Sequence, residues 1–226
     1  MKTKNKALLL TLCAMLLVAA SIFGTVAYLT SKTENVVNTF TVGKVRITLD
    51  EAKVDADGKP VQPAARVQEN AYKLIPGKTY TKDPTIHVAK DSEACFIRAK
   101  VTLTNAKEWV AIAEEYAYNK IENIITGTDD NIWWVSQPSF DEAANTVTYT
   151  FVYKNESHTD ELGKRIWTKD DGTDLVLFNE IVMPGEVTND ELASVANTKI
   201  TIVGEAIQAE GFETEAAAWA AFDAQK

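Results

Sequence analysis

The sequence predicts a mainly β protein: an antiparallel two-sheet sandwich of jelly-roll or Greek-key type, with short helical insertions, a C-terminal helix and an N-terminal signal helix. Three observations predict it. Apolar and polar residues alternate with period two through several windows, as in a strand with one face in a core and the other in water. Glycine, proline and aspartate gather in short clusters between those windows and mark turns. No stretch alternates strand with helix in the βαβ manner, which removes a parallel, doubly wound sheet.

The first element is a targeting segment. Lys2, Lys4 and Lys6 precede an uncharged stretch from Ala7 to Ser31, the order of a cationic n-region and an apolar h-region. The lysines stay on the cytoplasmic side while Leu8, Leu9, Leu10, Leu12, Leu16 and Leu17 enter the bilayer. Thr25-Val26-Ala27 fits the small-residue cleavage pattern, so the cut is expected after Ala27, with Tyr28 as the new N-terminus. The chain then divides into a signal peptide, residues 1–27, and one β-sandwich domain, residues 28–226. Left uncut, the segment would be a membrane anchor, because roughly 20 apolar residues cross the hydrocarbon layer. Ser21, Gly24 and Thr25 weaken its far end and favour cleavage. Cys13 follows Leu10, Thr11 and Leu12 and lacks the small residues of a lipid-modification site.

The strands follow. Val45, Ile47 and Leu49 alternate with Lys44, Arg46, Thr48 and Asp50. Cys95, Ile97, Ala99, Val101 and Leu103 alternate with Arg98, Lys100, Thr102 and Thr104, and Val147, Tyr149, Phe151 and Tyr153 alternate with Thr146, Thr148 and Thr150. Further strands are expected at Thr85 to Val88, Ile132 to Val135 and Lys199 to Ile207. Helical spacing replaces this rhythm in three places. Trp109, Ile112, Ala113, Tyr116 and Ala117 share one face, Asp190 to Ala196 forms a short helical turn, and Thr214 caps a helix from Glu215 to about Gln225.

Composition narrows the function. Cleavage would remove three of the 23 basic residues and none of the 32 acidic ones, taking the net charge from −9 to about −12. Nucleic acid and anionic membrane surfaces are therefore poor partners, because phosphate binding needs clustered cations; membrane contact is expected only through an uncleaved signal segment. Cys95 is the one cysteine after Ala27, so no disulfide forms within the mature chain and Cys95 reads as a buried thiol.

No catalytic constellation emerges. His87 and His158 are the two histidines, in a Thr-Ile-His-Val strand and an Asn-Glu-Ser-His loop, and both read as ordinary surface side chains. There is no H-E-x-x-H, G-x-S-x-G, phosphate-cradling or dinucleotide motif. Asp55-Ala56-Asp57-Gly58 and Asp170-Asp171-Gly172-Thr173-Asp174 resemble the opening of a Ca²⁺ loop, but neither reaches a bidentate glutamate, so both read as solvated turns. Trp109, Trp133, Trp134, Trp167 and Trp219 would have to be exposed and coplanar to stack on sugars; buried packing explains them more simply.

Several blocks carry a family resemblance. Phe23-Gly24-Thr25-Val26-Ala27-Tyr28-Leu29-Thr30 followed by Asn38-Thr39-Phe40-Thr41-Val42-Gly43-Lys44-Val45 resembles SipW-dependent exported proteins of the TasA/camelysin family. Leu74-Ile75-Pro76-Gly77-Lys78-Thr79-Tyr80, the Ser92 to Ala99 stretch and Ala206 to Phe212 are similar to the same group. The resemblance implies processing by a SipW-type signal peptidase in a Gram-positive cell, a jelly-roll fold and a role in the extracellular or biofilm matrix; the residues themselves point to no enzyme and no cofactor, Ca²⁺ being a weak alternative. It also implies self-association into fibres by passing an N-terminal strand to the next subunit. The corresponding strand here carries Phe40, Val42, Val45, Ile47 and Leu49, whose alternation suits strand addition. A metallopeptidase label attached to some members is not transferred, because no zinc ligand set is present. The alternative expectation is a monomeric cell-surface module for glycan or Ca²⁺, and a secreted hydrolase stands third.

Overall fold

The alternating windows become strands in a computed structural model that describes residues 13, 15, 43–116, 124–154, 167–168 and 174–225. The chain divides into Met1–Val42 and Gly43–Lys226. In the first unit the described residues, Cys13 and Met15, are helical and exposed. The expected cleavage residues Thr25, Ala27 and Tyr28, and Phe40 and Val42 of the expected assembly strand, lie outside the described residues.

In the second unit the strands are β1 (Ile47–Ala52), β2 (Arg66–Val67), β3 (Thr79–Thr81), β4 (Thr85–Val88), β5 (Cys95–Thr104), β6 (Ile125–Thr126), β7 (Trp133–Val135), β8 (Ser139–Asp141), β9 (Thr146–Tyr153), β10 (Asp174–Val176), β11 (Glu180–Val182) and β12 (Ile200–Gln208). Helices α1 (Ala106–Glu115), α2 (Asn189–Ser194) and α3 (Glu215–Asp223) accompany them. The described part is thus mainly β, as expected, with helices where the spacing placed them. Among the described residues the sheets number three and not two. One runs β10-β4-β1-β2, a second β3-β11-β6, and a third β12-β5-β9-β7 with β8 added on β9. All the named pairings are antiparallel.

The third sheet holds the long strands, and their period-two pattern explains why. On β9 each of Val147, Tyr149, Phe151 and Tyr153 is buried while the threonines between them are half-exposed. Cys95, Ile97, Ala99, Val101 and Leu103 of β5 face the same core. Ile86 and Val88 from the first sheet, and Tyr80 and Ile181 from the second, join that cluster, so one apolar core draws on all three sheets. Helix α1 adds Trp109, Ile112 and Ala113, spaced to lie on one helical face, and the Trp109 indole donates to Thr198 Oγ1 at 3.0 Å. Burying each large apolar side chain of this kind contributes about 1.5–3 kcal/mol.

Candidate functional site

Strand β12 ends the order of its sheet. It pairs with β5 from Ile200↔Leu103 to Gln208↔Cys95, so alternate backbone groups on the other side turn away from β5. Among the described residues no strand pairs with that outer edge, beside which β1 packs, and an unpaired edge is what an added chain requires. Val203, near its middle, is 48% exposed.

Two adjoining cavities follow this edge. One, of about 680 Å³, lies between Ile200 and Thr201 at the start of β12 and Tyr72 and Leu74 opposite. The other, of about 460 Å³, lies between Ile202, Val203 and Gly204 and the β1–β2 side, at Leu49 and Val67. Glu69, Asn70, Lys82 and Ile200 line both. The result is a groove with one wall made by the edge of β12 and the other by β1 and the chain from Val67 to Leu74.

The wall opposite β12 is held by a buried ion pair. Lys82 Nζ donates to Glu51 Oε2 at 2.5 Å, and both side chains are 8% exposed. Asn70 donates to Glu51 Oε1 at 3.0 Å and to the Ala52 carbonyl at 2.8 Å, and its Oδ1 accepts the Val54 amide at 3.0 Å. The ammonium also sits 5.7 Å from the Tyr72 ring centroid. Burial, aided by the Glu51 charge, pushes the Tyr72 hydroxyl well above its ordinary value, so it stays protonated and donates to the Thr81 carbonyl at 3.2 Å. These groups stiffen the wall and are turned on one another.

The expected assembly strand divides at this point. Val45 is half-buried and precedes β1, while Ile47 and Leu49 lie in β1, paired with Val88 and Ile86 of β4. The Lys44 and Arg46 carbonyls accept the Glu93 and Ala89 amides at 3.0 Å and Val45 packs on the core, so the residues from Lys44 onward have partners within their own chain.

His87 is the main correction to the sequence reading. It does not simply face solvent. Its Nδ1 lies 2.7 Å from Asp174 Oδ1 on β10 and its Nε2 lies 2.9 Å from Asp50 Oδ1 on β1. Arg66 of β2 also binds Asp50 Oδ1 and reaches Asp83 Oδ2 at 3.1 Å. Burial opposes the charged imidazole, yet hydrogen bonds to Asp50 and Asp174 outweigh it and raise the pKa above 6.5. Burial likewise works to raise Asp50, and hydrogen bonds from Arg66 and His87 hold it below the usual carboxylate range. Each ring nitrogen faces a carboxylate, an arrangement suited to bridging strands and not to activating a nucleophile.

The remaining sequence candidates separate. Asp55 Oδ1 accepts the amides of Asp57 and Lys59 at 2.9 and 3.0 Å, and Asp57 pairs with Lys78 at 2.7 Å, so that loop is a turn closed by its own carboxylates. Gly58 has a φ of 73°, and a Cβ there would lie 2.5 Å from Tyr80 Cδ1, so only glycine fits the turn. Asp170 to Thr173 and His158 lie outside the described residues, while Asp174 is the His87 partner. Among the described residues no group of three His, Cys, Asp or Glu side chains has the geometry to hold a metal. Cys95 is buried, and burial lifts its thiol to about 12. Trp109, Trp133, Trp167 and Trp219 are buried and Trp134 is 52% exposed, so no set of coplanar exposed indoles exists. No family model, curated protein or solved structure matches the chain.

Proposed function

We propose that this chain is a secreted, non-enzymatic structural protein of the extracellular or biofilm matrix that associates with further copies of itself by adding a strand to an open sheet edge. The observation that carries the reading is the outer edge of β12, nine residues long and bordered by a groove on the side away from β5. Strand addition draws affinity from main-chain hydrogen bonds and specificity from pockets for alternate side chains. Phe40 and Val42, two residues apart and ahead of β1, begin such a strand.

The resemblance to SipW-dependent proteins of the TasA/camelysin family supports the same reading, and with it goes removal of residues 1–27 by a SipW-type peptidase. Three antiparallel sheets around one core are compatible with a sandwich of jelly-roll type.

The test is negative-stain electron microscopy and sedimentation of residues 28–226 beside the Val203→Lys variant. Val203 is exposed, so lysine there leaves the fold intact while placing a charge at the edge. Filaments from the parent and none from the variant are expected; parent protein that stays monomeric at every concentration and pH tried would overturn the reading.

A further inference from the structure

We infer that His87 is a proton-operated clasp that fixes edge strand β10 and strand β1 to the two sides of β4. The three strands meet in register at this side chain: His87 is opposite Thr48 of β1 and opposite Asp174 of β10, with Asp50 two residues along β1. β10 is three residues long and, among the described residues, pairs with β4 alone in its sheet. A single imidazole therefore joins both neighbours of β4 through side chains, in addition to the backbone ladders.

The chemistry has two states. A protonated ring has two N–H donors, and both carboxylates accept. A neutral ring keeps one N–H, so one carboxylate faces a lone pair and that half of the clasp is lost. The charged groups around the ring come from every neighbouring element. Among the described residues, Asp50 on β1 and Asp174 on β10 touch the ring, and Arg66 on β2 binds Asp50 and reaches on to Asp83 ahead of β4; Arg46, just before β1, is engaged by Asp91 at 2.7 Å. Among the described residues, two carboxylates touch the ring and one guanidinium shares Asp50 with it, a balance that favours taking up a proton.

The sign follows from the direction of the shift. A histidine whose folded pKa is raised contributes stability that is fully present below about 6.5, its unfolded value, and is lost as pH rises through the folded value. The clasp is closed in mildly acidic surroundings and half-open in alkaline ones. The loss in the opening equilibrium equals the ratio of the two acid constants.

The experiment is an NMR titration of the imidazole protons in residues 28–226, with His158→Gln leaving one histidine signal. It is combined with native-state hydrogen exchange of the Thr48 and Leu175 amides, which face β4 from its two sides, between pH 5.5 and 8.5, corrected for intrinsic exchange. The expected result is a His87 midpoint above 6.5 that falls in both Asp50→Asn and Asp174→Asn. The opening constants of both amides should rise with pH in the parent and stay flat in His87→Gln. A midpoint at or below 6.5, or an unchanged pH dependence in His87→Gln, overturns the clasp; should His87→Gln not fold, the parent midpoint decides alone.

Discussion

The guanidinium of Arg98 lies 4.1 Å from the ring centroid of Trp219, and this contact seats the C-terminal helix on the sheet. Arg98 Nε donates to Glu205 Oε2 at 2.5 Å and its Nη2 donates to Asp223 Oδ1 at 2.6 Å. Strand β5, strand β12 and the middle and C-terminal end of α3 thus meet at one cation. Phe96, Ala209, Ala218 and Trp219 form a second apolar cluster around it. Removing one partner of a buried ion pair leaves the other charge uncompensated, at a cost of about 3–5 kcal/mol. Arg98→Ala should lower the urea midpoint by a corresponding amount and shift Trp219 fluorescence toward that of exposed indole. Arg98→Leu combined with Glu205→Leu should recover most of the loss, and no recovery would assign the effect to the cation–π contact instead.

The same helix depends on the residue that caps its N-terminus. Thr214 has extended backbone, and its hydroxyl accepts the Ala217 amide at 3.1 Å, satisfying one of the free donors at the helix start. Thr214→Ala should destabilise the seated helix by about 1 kcal/mol. Because Trp219 is the reporter, near-ultraviolet circular dichroism against temperature reads the effect. Thr214→Asp should retain the cap, and a loss as large as that of alanine would show that the cap is not what matters.

Much of this architecture was legible in the residues, and the parts that were not share a cause. Strands β4, β5, β9 and β12 were expected because each exposes one face to the core over four or more residues. The six strands β2, β3, β6, β8, β10 and β11 have two or three residues each, too few for a period, and partners from distant parts of the chain define them. Ile181 is in a strand because Tyr80 and Ile125 lie on either side of it. That is why a third sheet escaped the pattern. Arg98 sits where alternation predicts solvent, and α3 covers it from a position 125 residues away. His87 was misread for the same reason, since its two acids are brought by the registers of β1 and β10, which no local pattern encodes.

Cys95 gives a chemical check on the core. Its thiol is lifted to about 12 by burial, so at pH 8 the native thiolate fraction is on the order of a thousandfold below that of an ordinary cysteine. In the Cys13→Ser chain, iodoacetamide should label Cys95 slowly under native conditions and rapidly in urea. The native rate should track the opening of the β5 ladder to β12. Equal rates in the two conditions would place the thiol at the surface and contradict the core described above.

Gly204 on β12 marks where the third sheet approaches the first. A Cβ built there would lie 3.3 Å from Ile86 Cδ1 and 3.4 Å from Ile47 Cδ1. Both are the far ends of side chains, so each can yield by a few tenths of an ångström. Gly204→Ala should accordingly change stability by less than about 1 kcal/mol, because reduced freedom of the unfolded chain offsets the tight contact. Gly204→Val adds two methyl groups to the same gap and should cost about 1–3 kcal/mol by overpacking. Shortening a facing residue, Ile47→Val or Ile86→Val, should relieve part of that cost in the double variant. The coupling, measured by urea denaturation of both singles and the pair, should be clearly non-additive. Strict additivity would mean that Gly204 does not set the spacing between β12 and β1, and that the groove at their edge is not fixed by this contact.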